Sequence, residues 1–402
     1  MIFEVRKAGF VNKGAHLMLL AVVQQIRARY PGATLVMSPS VNSGSQPFDS
    51  LVAAGFRPKA SMMRRGIQFG DLAALLPDRA REMYGLVLDR EVDVVLDAAG
   101  FAYGAPWHPG TLADLAHSAT RWRQRDTGLI LLPQAFGELT DSAFRSNAKK
   151  VGRDAHLIFA RDPHSLECLH QALAPASLAE EPKVSSSPDF TALLPGTPPE
   201  EPDFWRTRIA VVPNARMLDQ TTPDIRAAYL PFLRRCMTEI HRRGGLMAVI
   251  AHEGAEDLPL ARELAASHPG CAVVAEADPL RLKGLLGACR GVIASRFHAL
   301  VNALSQGVPA FGTGWSHKYP ALFADYGVAE GLLDPRSSAD PATAAARLLD
   351  DAWCTKTRER LCHHGEQQRQ QIAQMWARVF AVCDEVLSRR QSFSQHTPRR
   401  SP

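Results

Sequence analysis

Residues 294 to 318 read ASRFHALVNALSQGVPAFGTGWSHK, a stretch of small and apolar residues that carries Arg296, His298, His317 and Lys318 at just two places, each beside a serine. Arginine and lysine hold anionic oxygens, arginine with two parallel N–H groups and lysine as a point charge. Histidine gives or takes a proton near neutral pH. Two such clusters, separated by an apolar run of helix length, suit a site that grips an anion and moves a proton.

The surrounding residues say how the clusters are presented. VIAS ends a strand and HALVNALSQG reads as a helix, with Gly307 as its C-terminal stop before the strand VPAFG. Ser295, Arg296 and His298 therefore stand at a helix N-terminus, where free N–H groups and the helix dipole attract an anion. The next strand delivers Ser316, His317 and Lys318 at its own end, and Pro320 suits the start of a further helix. If the two strands are neighbours in a sheet, both clusters face one place.

Other strand ends also carry polar side chains. In the second half these are PNAR, with Asn214 and Arg216, then AHEG and EAD. In the first half, GFVNKGAHL brackets Asn12 and Lys13 with glycines, Gly14 opening a helix; the loop resembles a general anion-binding turn but is neither a P-loop nor G-x-G-x-x-G. PQAFG places Gln134 where it could meet a sugar hydroxyl. Arg161 and Asp162 are expected to pair with each other, and DAAGFAYG (97–104) to form a tight backbone turn.

Strand-like runs alternate with amphipathic helical stretches through most of the 402 residues, which predicts an α/β fold with parallel sheets in two domains. The expected boundaries are 1–175 for the first domain, 176–206 for a Pro-, Ser- and acid-rich linker, 207–389 for the second domain with a terminal helix, and 390–402 for a disordered basic tail. The formal charge of +5 owes four cations to the C-terminal arginines 389, 390, 399 and 400, so it gives no reason to expect nucleic acid. Seven scattered cysteines without a C-x-x-C pair suit reduced thiols. No signal-peptide core or apolar run of spanning length is present, which predicts a cytoplasmic protein, with peripheral attachment at the inner face of the membrane left open. His252 and Glu253 lack a second histidine at zincin spacing, no G-x-S-x-G occurs, and no metal site is expected.

SRFHALVNALSQGVPAFGTGWSHKY, preceded in order by PQAFG, FARD, SPDF and PNARM, resembles the polysaccharide pyruvyltransferase family over most of residues 5 to 330. The resemblance implies a GT-B-like fold, two Rossmann-like domains facing a cleft, the first on the acceptor side and the second on the phosphoenolpyruvate side. It further implies transfer of pyruvate from phosphoenolpyruvate to a hydroxyl pair of a cell-surface polysaccharide or its lipid-linked precursor, forming a ketal without a cofactor. His298, then His317, would supply the proton to the methylene carbon. Arg296, Lys318 and Arg216 would hold the carboxylate and phosphate, with Ser295, Ser316, Asn214, Asn12, Lys13, Gly14 and Gln134 around the substrates. The same architecture also serves nucleotide-sugar-dependent glycosyltransferases and epimerases, in which Glu253 or Glu276 would hold a ribose. A non-catalytic glycan- or anion-binding protein is the third alternative.

Overall fold

Aliphatic runs of four to six residues are too short for helices and bury on both faces, so they assemble as parallel strands covered by the helices between them. The computed structural model describes residues 1–40, 46–64, 67–173 and 183–396. The chain divides into two compact units, Met1–Phe190 with Ile372–Pro402, and Thr191–Gln371.

The sheet of the first unit runs, edge to edge, through Val184–Ser186, Leu157–Ala160, Gly128–Phe136, Val94–Asp97, Ile2–Arg6, Thr34–Met37, Arg57–Ala60 and Val87–Leu88. Phe101–Tyr103 pairs beside Gly128–Phe136, and every pairing is parallel. Gly128–Phe136 is buried along its whole length. Pro133 cannot donate to the ladder, and the register against Leu157–Ala160 slips there: Ile158 faces Leu131, but Ala160 faces Gln134. A bulge therefore sits just before Gln134.

One buried ion cluster ties this sheet to its helices. Lys59 Nζ donates to Glu4 Oε2 at 2.6 Å and Asp89 Oδ1 at 2.9 Å, and Trp122 Nε1 donates to the same Asp89 oxygen at 3.1 Å. Arg121 Nε and Arg125 Nη1 donate to Asp89 Oδ2 at 2.9 and 3.2 Å. Burial opposes the Asp89 charge, but Lys59 and Arg121 hold its carboxyl well below the usual carboxylate range. A carboxyl depressed in the folded state contributes stability above its unfolded pKa of about 4 and loses it as pH falls through the native value. The stability difference between wild type and Asp89→Asn, measured by denaturant unfolding, is thus expected to be full at neutral pH and to shrink below about pH 4.

In the second unit the strand order is Ala272–Val274, Leu246–Ile250, Arg208–Val212, Gly291–Ala294, Ala310–Gly312, again all parallel. Residues of the central strand alternate between two cores: Ala210 and Val212 pack with the helix Phe297–Leu304, whereas Ile209 and Val211 pack with the helix Pro223–Arg242. That is the period-two pattern of a strand covered on both faces. Gly307 takes φ +76° after the helix Phe297–Leu304, the left-handed stop its position in the sequence suggested.

The structure departs from the expected boundaries at both ends of the second unit. The segment expected as linker is taken up by the units: Val184–Ser186 adds a strand to the first sheet, the division falls after Phe190, and Pro202–Arg206 forms a helix in the second. Residues 174–182 lie outside the described residues. The last helix, Asp351–His396, continues through residues expected in the tail, and its part from Ile372 on belongs to the first unit, where Tyr30 and Arg29 bond Asp384 at 2.6 and 2.7 Å. Residues 397–402 are outside the described residues. No described helix is long and apolar enough to cross a membrane.

Candidate functional site

In an open α/β sheet the ligand crevice lies beyond the C-terminal strand ends, where the strand order reverses. In the second unit that reversal falls between Arg208–Val212 and Gly291–Ala294. The residues just past those two ends are Pro213–Arg216 and Ser295–His298. Gly291–Ala294 also pairs directly with Ala310–Gly312, Ala294 opposite Gly312, so the two cationic junctions leave neighbouring strands.

Four of the expected residues stand half-buried at these junctions: His298, Ser316, His317 and Lys318. His298 is the second residue of the helix Phe297–Leu304, and His317 sits at the N-cap position of the helix Lys318–Asp325 without capping it through its side chain. Lys318 Nζ stands 4.8 Å from the Phe297 ring centre, 5.4 Å from Trp315 and 5.8 Å from Tyr319. The Phe297 ring meets His298 edge-on, centroids 5.5 Å apart. Aromatic rings thus surround the Lys318 ammonium, with attraction of about 0.5–2 kcal/mol per well-placed ring, and the Phe297 ring is shared with His298. Ser316 Oγ is buried and has no hydrogen-bond partner among the described residues.

Three other expected residues serve as scaffold. Ser295 is buried and saturated: Tyr229 O–H donates to its Oγ at 2.9 Å, Thr313 Oγ1 lies 2.8 Å away, and its carbonyl accepts from Asn214 Nδ2 and Tyr319 O–H at 2.8 and 2.9 Å. Asn214 is equally buried, and its Oδ1 accepts from Arg216 N–H at 2.9 Å. Arg296 donates from Nε and Nη2 to the two oxygens of Asp257 at 2.8 and 2.6 Å, and from Nη2 to Glu256 at 3.2 Å. Burial disfavours its charge, yet Asp257, Glu253 and Glu256 raise its proton affinity above the usual arginine value. The fork that sequence reasoning offered to an anion is therefore taken up by Asp257.

Asp257 is the residue that sequence reasoning missed here. Fully buried on the helix Gly254–Ala266, it also accepts from Ala215 N–H at 3.1 Å and Glu253 N–H at 2.9 Å. One carboxylate thus fastens the loops that follow three strands. Nothing in the local sequence marks it, because the partner lies 39 residues away. Arg216 is exposed and pairs with Asp219 and Glu256 at 3.0 and 3.5 Å. Glu253 lies 3.0 Å from His252 Nδ1, and Glu276 accepts from Asp278 N–H at 2.8 Å.

The first unit has its own reversal, between Ile2–Arg6 and Val94–Asp97, where Arg6 is opposite Asp97. Asp97 is fully buried and accepts from Tyr103 O–H at 2.9 Å. Burial raises its carboxyl above the usual value against the pull of Arg6, Tyr103, Lys7 and Gln134. Gln134 is fully buried beside it. Lys7 follows at φ +64°, a left-handed conformation costly for a non-glycine residue, and burial together with Arg6 lowers its pKa. Segment 97–104 was expected to be a backbone turn; instead it holds a strand and a buried acid, and strand order was the signal needed to see this. Nearby in sequence, Asn12 caps the helix Lys13–Arg29 by accepting from Ala15 N–H at 3.0 Å, Lys13 is its first residue, and Gly14 is buried. Arg161 pairs with Asp189 at 2.9 Å, and Asp162 accepts from Ser165.

Two doubly wound parallel-sheet units with polar switch points define a GT-B-type α/β protein. Solved structures agree at the level of the fold. The UDP-GlcNAc 2-epimerase of Neisseria meningitidis bound to UDP-GlcNAc is similar with a TM-score of 0.54 at 10% identity, over 90% of this chain and 93% of that one. The Staphylococcus aureus MnaA–UDP co-structure gives 0.53 at 12% identity, over 89% and 90%. No curated protein sequence matches the chain. The family model described as Polysaccharide pyruvyl transferase matches residues 12–317, and the chain belongs to that family.

Proposed function

We propose that the chain transfers pyruvate from phosphoenolpyruvate to a hydroxyl pair of a saccharide, in a cell-surface polysaccharide or its lipid-linked precursor. The observation that carries this reading is the meeting, on neighbouring strands, of His298, His317 and Lys318 at two helix starts. A small dianion with a carbon to be protonated needs that set.

In this reading Lys318 and the helix N–H groups hold the substrate's anionic groups, and Ser316 donates to one of them. Arg216, exposed at the same edge, is the second side-chain cation. Arg296 acts through position, because Asp257 occupies its fork. His298 gives its proton to the methylene carbon, which becomes a methyl group and leaves the central carbon open to attack. One sugar hydroxyl adds there and releases a proton. The bond to the phosphate oxygen then breaks, phosphate leaves with the electron pair, and the second hydroxyl closes the ketal and releases its proton. Of the two hydroxyl protons, one replaces that given by histidine and the other leaves on phosphate. On the acceptor side, Asp97 and Gln134 mark the switch point of the first unit, with Asn12, Lys13 and Gly14 on the adjoining loop.

The test is direct. Purified protein incubated with phosphoenolpyruvate and lipid-linked or free saccharide acceptors is expected to release inorganic phosphate only when an acceptor is present. Phosphoenolpyruvate alone should raise the thermal midpoint more than uridine nucleotides do. Stabilisation by nucleotides alone would move the chain to sugar-nucleotide chemistry, and binding without phosphate release would make it a binding protein.

A further inference from the structure

Where three neighbouring strands of the first sheet begin, two hydrogen-bond donors are set against each other. Thr127, His156 and Lys183 immediately precede the adjacent parallel strands Gly128–Phe136, Leu157–Ala160 and Val184–Ser186. This edge of the sheet is opposite the strand end that carries Asp97. A cavity of about 600 Å³ opens here, in the size range of small-molecule sites, and Arg123, Arg153, Lys183 and Arg389 line it around His156.

The backbone decides which ring nitrogen of His156 holds the proton. Leu129 N–H donates to His156 Nδ1 at 3.2 Å. Leu129 is fully buried, so water does not serve that N–H, and Nδ1 must keep its lone pair. Burial, reinforced by Arg389 and Lys183, lowers the His156 pKa and keeps the ring neutral. Its single proton is therefore on Nε2, which makes that nitrogen a donor. Arg389 Nη2, which can only donate, stands 3.5 Å from it. Two donors so placed do not satisfy each other; they converge on a position that suits an acceptor.

The charged groups around this point favour an anion as that acceptor. By count the lining is nearly balanced, four cations to three acids, but the acids are occupied or remote from the donors. Asp154 accepts from Arg153 Nε and Nη2 at 2.7 and 2.8 Å, from Arg123 Nη1 at 3.2 Å and from Thr120 Oγ1 at 2.8 Å, so one carboxylate is shared by two guanidinium groups. Glu385 reaches Arg389 at 3.7 Å, longer than a hydrogen bond, and Asp126 is exposed. Lys183 is exposed at the start of its strand and adds a mobile ammonium. Donors that approach from an imidazole, a guanidinium and an ammonium suit a group with several acceptor oxygens, which a phosphate offers and a carboxylate offers less fully.

We propose that this cavity binds a phosphate group, held by His156 Nε2–H, Arg389 and Lys183. No residue of the proposed transfer site takes part, so the phosphate site can fail while the transfer reaction holds, and the reverse.

The experiment is nitrogen-15 NMR of the histidine rings in the full chain, with the His156 signals assigned by their loss in His156→Gln. Without ligand, His156 is expected as the neutral tautomer protonated on Nε2. Inorganic phosphate, added at constant ionic strength, should shift the His156 ring signals to saturation, whereas chloride should not. A hexose 6-phosphate forms the second arm: tighter binding than inorganic phosphate assigns the rest of the cavity to an organic part, and equal binding assigns the site to the free ion. The double variant Lys183→Gln, Arg389→Gln removes two charged donors and should weaken phosphate at least ~10-fold. Both side chains are exposed, so its thermal midpoint without phosphate should match wild type. A His156 ring protonated on Nδ1 would overturn the proposal. So would ring signals that ignore phosphate or follow chloride equally, or a double variant that binds phosphate as well as wild type.

Discussion

His298→Ala is expected to lower phosphate release from phosphoenolpyruvate by about 10²–10⁴-fold, the usual worth of a positioned acid. The loss should fall on kcat, with substrate binding retained, because Lys318 and the helix N–H groups remain. His298 is half-buried in the first turn of its helix, while the next six residues, Ala299 to Leu304, are buried in the core. Truncating the imidazole therefore leaves the packing face intact, and the thermal midpoint should barely move. His317→Ala gives the comparison. His298 lies in the first turn of one helix and His317 at the N-cap position of another, both after neighbouring strands, so the proposed reaction admits either as the acid, and only the larger kcat effect identifies it. Near-normal turnover in His298→Ala with collapse in His317→Ala would exchange the two roles.

How far the sequence alone reached depends on whether the determinant is local. The long apolar runs, such as GLILLPQAF and RIAVV, appear as strands because their burial is written in consecutive residues. Arg57–Ala60 and Val184–Ser186 were invisible, since RPKA and VSS carry no apolar pattern and become strands only by pairing with a neighbour already in place. The same division runs through the site. A serine, two histidines and a lysine at helix starts could be read from spacing. The use of Arg296 could not, because Asp257 comes from a different strand-to-helix connection. Asp97 was misread for a related reason: its burial follows from the strand order that sets it opposite Arg6.

The site's geometry should depend most on a residue that touches no substrate. Asp257→Ala would leave the Arg296 guanidinium buried without its main counter-ion, and breaking a buried pair from one side typically costs about 3–5 kcal/mol. The Ala215 and Glu253 N–H groups would lose their acceptor as well, each loss worth about 1–3 kcal/mol if water cannot reach it. Denaturant unfolding should show this as a lower midpoint, and phosphate release should fall too, because the loops after three strands lose their common fastening. Arg296→Met in the same background removes the stranded charge and should recover part of the stability, so the double variant is expected to be more stable than Asp257→Ala alone. Activity need not return with it, since the loops remain unfastened. Arg296→Lys separates the two possible roles of this arginine. A lysine keeps the charge but cannot span both oxygens of Asp257. If Arg296 is scaffold, the variant should unfold earlier and lose kcat while its KM for phosphoenolpyruvate changes little. A large rise in KM at unchanged stability would instead make Arg296 a direct ligand of the anion, with Asp257 as the group it leaves when substrate arrives.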